Sequence, residues 1–302
     1  MLSYARERQQ YKEKGGSMQK SWSWSTTGYS FLYKTHAEII EICRRAGLAG
    51  IEGAMNMFRE ESAAELEAVA REYRDAGLRF DTFHLPFGAE DDIASFYESV
   101  RRPAVDKMKH WMERAAILGA RAGIQHPTTA GFDVDLEGPD QYFRQLGKSL
   151  NELLPAAEAL NFTIALENLP FGEVEGRLSS RPEHFARIIE EFAHPQLGFC
   201  LDTGHALIAA GPERADEFLE VMAPHIAAFH LSDTAGDRDS HLAPGRGLVD
   251  WGRVFRRAAE MGYGHSMCIE TPPFAHGPNY TYSIDAWKQL VEETESLAAE
   301  PG

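Results

Sequence analysis

The chain has 302 residues, enough for one large α/β domain or two smaller ones, and its 43% apolar content supports a sizeable core. With 46 acidic against 30 basic residues the net charge is −16, a poor field for a phosphate backbone and an argument against a nucleic-acid substrate. Three cysteines without a pairing framework, no apolar run near the roughly 20 residues that span a bilayer, and a polar start without a hydrophobic signal core argue for a cytoplasmic protein without a membrane span.

Residues 1–20 are read as a disordered lead-in and residues 21–302 as one catalytic domain. The text then alternates. Trp22 to Ser25 predicts a first strand, and Ala37 to Ala46 a helix with Ile39, Ile40, Ile42 and Cys43 at helical spacing, stopped at Gly47. Gly50 to Gly53 predicts the second strand. Ser62 to Ala76 predicts a helix whose capping box pairs Ser62 with Glu65. Leu78 to His84 is the third strand, followed by a helix from Val105 to Leu118. Ala122 to His126 is the fourth, followed by a helix from Pro139 to Leu160.

The next four strands are short apolar runs: Ile164 to Asn168, Gly198 to Asp202, Ile226 to His230 and Met267 to Glu270. Helices are expected at Pro182–Phe192, Pro212–Met222, Asp250–Met261 and Ser283–Ala298. Strict strand–helix alternation implies a parallel sheet, and eight units imply closure into a (β/α)8 TIM barrel of the α/β class. An open doubly wound sheet would bring a glycine-rich dinucleotide turn after the first strand. Thr26-Thr27-Gly28-Tyr29 is not one, so no nucleotide cofactor is expected.

Active sites in such barrels sit at the carboxyl ends of the strands. The last four strands end in Glu167, Asp202, His230 and Glu270. Buried carboxylates are costly unless paired or coordinated, and two glutamates facing one cavity repel without a cation. Three hard oxygen donors and one imidazole suit a divalent metal: Mn²⁺, Mg²⁺, Co²⁺ or Zn²⁺. A second set lies on the same rim. His84 and His126 end strands three and four, His205 follows Asp202 by three, and Asp239 and His241 sit two apart after strand seven. So many strand-end groups favour a polar ligand or additional metal ions. Trp24, Phe58, Phe87 and Trp251 are candidates for an apolar pocket wall, Asp250 for a helix cap, and Gly236, Gly245 and Gly247 for turn glycines.

Over residues 21–298 the chain resembles the xylose isomerase-like TIM-barrel superfamily. That group contains sugar phosphate isomerases and epimerases of the D-tagatose 3-epimerase type, inosose dehydratases and zinc-dependent apurinic endonucleases. The resemblance rests on Leu166-Glu167-Asn168, Leu201-Asp202-Thr203-Gly204-His205, His230-Leu231-Ser232-Asp233, Pro244-Gly245-Arg246-Gly247 with Asp250-Trp251, and Ile269-Glu270, in this order and spacing. It implies a divalent-metal-dependent isomerase or epimerase acting on a small sugar or sugar phosphate, with Glu167, Asp202, His230 and Glu270 as ligands and Glu167 and Glu270 as the acid–base pair. It implies substrate contacts from His205, Glu173, His84, His126 and an arginine after strand seven, Arg246 or Arg238. It also implies homo-oligomers.

The same resemblance supports a rival reading. The endonuclease branch holds three zinc ions on nine positions, matched here by His84, His126, Glu167, Asp202, His205, His230, Asp239, His241 and Glu270. A dehydratase-like lyase would use the same residues. Charge favours the sugar reading, as does Met55-Asn56-Met57-Phe58 after strand two, apolar where a DNA-binding rim carries basic or intercalating groups.

Overall fold

The expected strands are all present, within one or two residues of their predicted bounds: β1 (Trp24–Thr27), β2 (Gly50–Ala54), β3 (Arg79–His84), β4 (Ala122–Gln125), β5 (Thr163–Glu167), β6 (Leu197–Asp202), β7 (Ile226–Leu231) and β8 (Met267–Ile269). They pair in sequence order, all parallel, and β8 closes on β1 to make a barrel. The structure is a computed structural model and describes residues 22–128, 138–171, 176–273 and 281–299. The lead-in expected over residues 1–20 lies outside them.

The helices are α1 (His36–Ala46), α2 (Ala63–Asp75), α3 (Glu98–Leu118), α4 (Pro139–Ala159), α5 (Pro182–Phe192), α6 (Thr203–Ala210), α7 (Ala215–Met222), α8 (Trp251–Glu260) and α9 (Ile284–Ala299). Capping boxes start two of them, Thr35 with Glu38 on α1 and Ser62 with Glu65 on α2. Gly47 ends α1 at a φ of 81°, a left-handed turn that glycine takes without a Cβ clash.

Three helices depart from expectation. α3 begins at Glu98, about two turns before Val105, with Pro103 in its first turns. Buried Arg101 fastens that early segment, binding Glu98 at 2.8 Å and Glu152 of α4 at 3.0 Å. α6 was not expected. Thr203 to Ala210 is buried along almost its whole length, so it carries no polar stripe from which a helical period could be read. Gly211 stops it, and the helix predicted from Pro212 begins instead at Ala215.

Most of the apolar core lies between the sheet and the helices. A second cluster, Ile124, Ala165, Cys200 and Ala228, plugs the barrel axis. Side chains alternate along a strand, so the residues two further on face the same axis. Those residues are His126, Glu167, Asp202 and His230. A layer of mostly small groups thus forms a floor, and the polar layer above it opens at the strands' carboxyl ends.

Candidate metal centre

Glu167, Asp202, His230 and Glu270 form a buried group whose ligand atoms lie within 4.8 Å of one another. Register brings them together, with Asp202 opposite His230 and Glu167 beside Cys200. His230 Nδ1 lies 3.2 Å from Glu167 Oε1 and 2.8 Å from Glu270 Oε2. Asp202 Oδ2 has no hydrogen-bond partner, while Glu167 Oε2 and Glu270 Oε2 meet only imidazole nitrogens, His126 Nε2 at 3.2 Å and His230 Nδ1 at 2.8 Å. A buried oxygen without a donor is costly, and three acids crowded around one imidazole fit a divalent cation as the missing partner.

The electrostatics are those of a crowded anionic site. Burial pushes Asp202 up to about 7, with Glu270 and Glu167 adding to the rise against His205. Burial would also raise Glu167, but His230 and hydrogen bonds from His126, His205 and His230 hold it well below the usual range. Glu270 is held at about 2, burial being outweighed by His230. His230 is raised well above an ordinary imidazole, since Cys200, Glu270, Glu52 and Glu167 outweigh its burial.

Two further groups flank this one. His84, His126 and Glu167 form the first, with His126 Nε2 at 3.2 Å and His84 Nε2 at 3.8 Å from Glu167 Oε2. His205, Asp239 and His241 form the second, with His205 Nε2 3.3 Å from Asp239 Oδ2 and His241 Nε2 3.3 Å from Asp239 Oδ1. Both are pairs of histidines with one carboxylate, a set that suits zinc and other transition metals. His84, His205 and His241 each donate Nδ1–H to a backbone carbonyl, of Leu85, Asn168 and Glu270, at 3.0 Å. This leaves Nε2 of each turned to the cluster.

The motif residues between the ligands hold the backbone. Asn168 ties the ends of β5 and β6, donating to the Asp202 carbonyl and accepting from its N–H, both at 2.8 Å. Asp202 Oδ1 caps α6 through the His205 N–H at 2.7 Å, which leaves Oδ2 for the cavity. Asp233 organises the loop after β7, accepting from the backbone N–H groups of Thr234, Gly245 and Val249 and from Trp251 Nε1 at 2.9–3.1 Å. Gly247 packs against that carboxylate and the Thr234 carbonyl so closely that a Cβ has no room. Leu242 pairs its backbone with Asp233 at 2.8 Å in both directions, fixing the segment that carries Asp239 and His241.

Other expected site residues fall elsewhere. Glu173 lies outside the described residues. Arg246 is exposed, and its guanidinium is held by Glu293 of α9 at 2.7 Å. Among described residues, Arg177 after β5 is a half-buried cation in no ion pair; burial lowers its pKa, and Asp239 and Asp92 oppose the fall. Of the expected pocket aromatics, Trp24, Phe58 and Trp251 are buried in packing, whereas Phe87 stands at the mouth 4.8 Å from His84 and 4.6 Å from His126. Tyr29, given no role from sequence, packs edge-on to His84 at 5.5 Å. Glu52 was also missed. It is fully buried in β2, with both oxygens 3.1–3.2 Å from His230 Nε2 and one accepting from Thr82 Oγ1 at 2.8 Å. A charged residue inside a strand that reads as buried was the available signal, since such a charge needs a partner.

Residues 40–295 match the family model described as xylose isomerase-like TIM barrel. An uncharacterised protein of Methanocaldococcus jannaschii is 30% identical over 216 residues, 70% of this chain and 70% of the relative. A protein of Mycobacterium ulcerans named probable endonuclease 4 is 30% identical over 168 residues, 53% of this chain and 61% of its own length. The crystal structure of a D-tagatose 3-epimerase-like protein has the same fold, with a TM-score of 0.75 at 21% identity over 91% of this chain and 98% of that one.

Proposed function

The chain belongs to the xylose isomerase-like TIM barrel family, and on that premise we propose that it is a divalent-metal-dependent isomerase or epimerase of a small sugar or sugar phosphate. The observation that carries this reading is the inner group: two glutamates reach one imidazole nitrogen, and Asp202 stands beside them in the same buried group with an oxygen that has no partner. Glu167, Asp202, His230 and Glu270 would hold the cation, which supplies polarisation of a ketose carbonyl and its neighbouring hydroxyl.

The chain's own groups then move the proton. Glu167 and Glu270 are both held below the ordinary carboxylate range and so stand as bases at neutral pH. One removes the proton from the carbon between carbonyl and hydroxyl and becomes the acid; the other first takes a proton from water and then returns it to carbon. Return to the opposite face of the same carbon is epimerisation; return to the adjacent carbon is isomerisation. Such acid–base groups contribute about 10²–10⁴-fold. His84, His126 and His205 donate to the substrate's oxygens, and Phe87 with Tyr29 forms the apolar side of the mouth.

A second reading is supported by the flanking groups and by the relative named endonuclease 4: a three-metal phosphodiesterase on His84, His126, Glu167, Asp202, His205, His230, Asp239, His241 and Glu270. Charge weighs against it. Three cations near the rim loops, Lys107, Arg114 and Arg246, are already bound by Asp91, Glu61 and Glu293 of this chain, which reduces what is left to meet a phosphate backbone. Metal analysis beside two assays separates the readings. Proton exchange at a ketose carbon in deuterated water, dependent on Mn²⁺ or Co²⁺, is the expected result. Three zinc ions per chain with cleavage of an abasic duplex, and no ketose exchange, would overturn the proposal.

A further inference from the structure

His230 is held differently from three of its neighbours. His84, His205 and His241 are each oriented by a backbone carbonyl at Nδ1. His230 is turned the other way, with Nδ1 toward Glu167 and Glu270 and Nε2 toward the two oxygens of Glu52. Glu52 is fully buried and reaches up from β2 beneath the cluster. Thr82 of β3 donates to its Oε2. No Lys or Arg pairs with it among the described residues, and the other near group, the buried Cys268 thiol, is pushed up by burial and so stays protonated, which leaves His230 as the partner for an acid at this depth.

We propose that Glu52 is the positioning residue of the metal centre: it accepts the Nε2–H of His230 and thereby commits Nδ1, in the correct tautomer and orientation, to the cation. A carboxylate behind a ligating imidazole also makes that imidazole a stronger donor, and losing such a partner weakens metal binding by about 10–100-fold. Thr82 serves the same end one step further out, fixing the carboxylate that fixes the ring. The inference rests on the metal centre proposed above.

The test measures Co²⁺ affinity by competition with a chelator, and the visible spectrum of the bound ion, for the full chain and its variants. Glu52→Gln keeps the shape and removes the charge, Glu52→Ala removes the acceptor, and Thr82→Val loosens Glu52 without touching His230. We expect affinity to fall about 10–100-fold for the two Glu52 variants, less for Thr82→Val, with an altered Co²⁺ spectrum and normal circular dichroism. Should Glu52→Ala not fold, Glu52→Gln and Thr82→Val carry the test. Wild-type affinity and spectrum in the folded Glu52 variants would overturn this inference and leave the metal centre standing. Failure of the wild-type chain to bind any divalent ion would instead overturn both.

Discussion

Replacing Asp233 with alanine should cost about 3–5 kcal/mol of folding stability. Its buried carboxylate accepts four hydrogen bonds, three from backbone N–H groups and one from the Trp251 indole. Alanine leaves those donors facing a hole. An unsatisfied buried donor costs about 1–3 kcal/mol, about 4–12 kcal/mol for four, and partial entry of water brings the total to around the lower end of that range. For a chain of this size that corresponds to a fall in Tm of roughly 10 °C. Asp233→Asn, which keeps one acceptor oxygen, should lose about half as much. The same loop carries Asp239 and His241, so Asp233→Ala should also weaken metal binding at the outer group while sparing the inner one. Urea unfolding with metal analysis of the folded variant tests both. A loss under about 1 kcal/mol would refute the claim that this carboxylate builds the loop.

Three further outcomes follow from the site and its supports. Glu167→Gln should reduce ketose exchange by about 10²–10⁴-fold, read by loss of deuterium incorporation, because it removes one of the two bases. His241→Ala should remove one metal from a chain that binds three and none from a chain that binds one; metal stoichiometry decides, and retention of three would refute the outer group as a site. His184 is pushed down to about 4 by burial, Arg181 and Arg187 against Glu183, and its Nδ1 accepts the Ser179 N–H at 3.1 Å. Its unfolded value is the higher one, about 6.5. The unfolded chain therefore binds the extra proton first as pH falls, and stability is full above about 6.5 and lost toward 4. The full loss is about 3 kcal/mol. His184→Gln should flatten that slope in urea titrations at stepped pH, and an unchanged slope would refute the assignment.

Much of the barrel was legible because it is written locally. Most strands are short, largely apolar runs of three to six residues, most helices carry an apolar stripe or a cap, and alternation of the two leaves few topologies. The helix Thr203–Ala210 was not legible, because burial on every side erases the period. The early turns of α3 were missed because Pro103 reads as a break, whereas Arg101 holds the segment through Glu98 and through Glu152 on another helix. Among the aromatics, Trp24, Phe58 and Phe87 look alike in sequence; only packing shows that the first two are core and the third stands at the mouth.

Taken by itself, the sequence determined the fold class and the inner ligand candidates, since a polar residue closing a buried strand is a local signal and the barrel rule says where strand ends converge. Tertiary structure alone decided how those residues divide into one inner and two flanking groups, because grouping depends on strand register and loop paths that no local pattern encodes. It also decided which way each imidazole faces. Glu52 and His230 are far apart in the chain and meet only across the closed barrel, where burial leaves each little choice but the other.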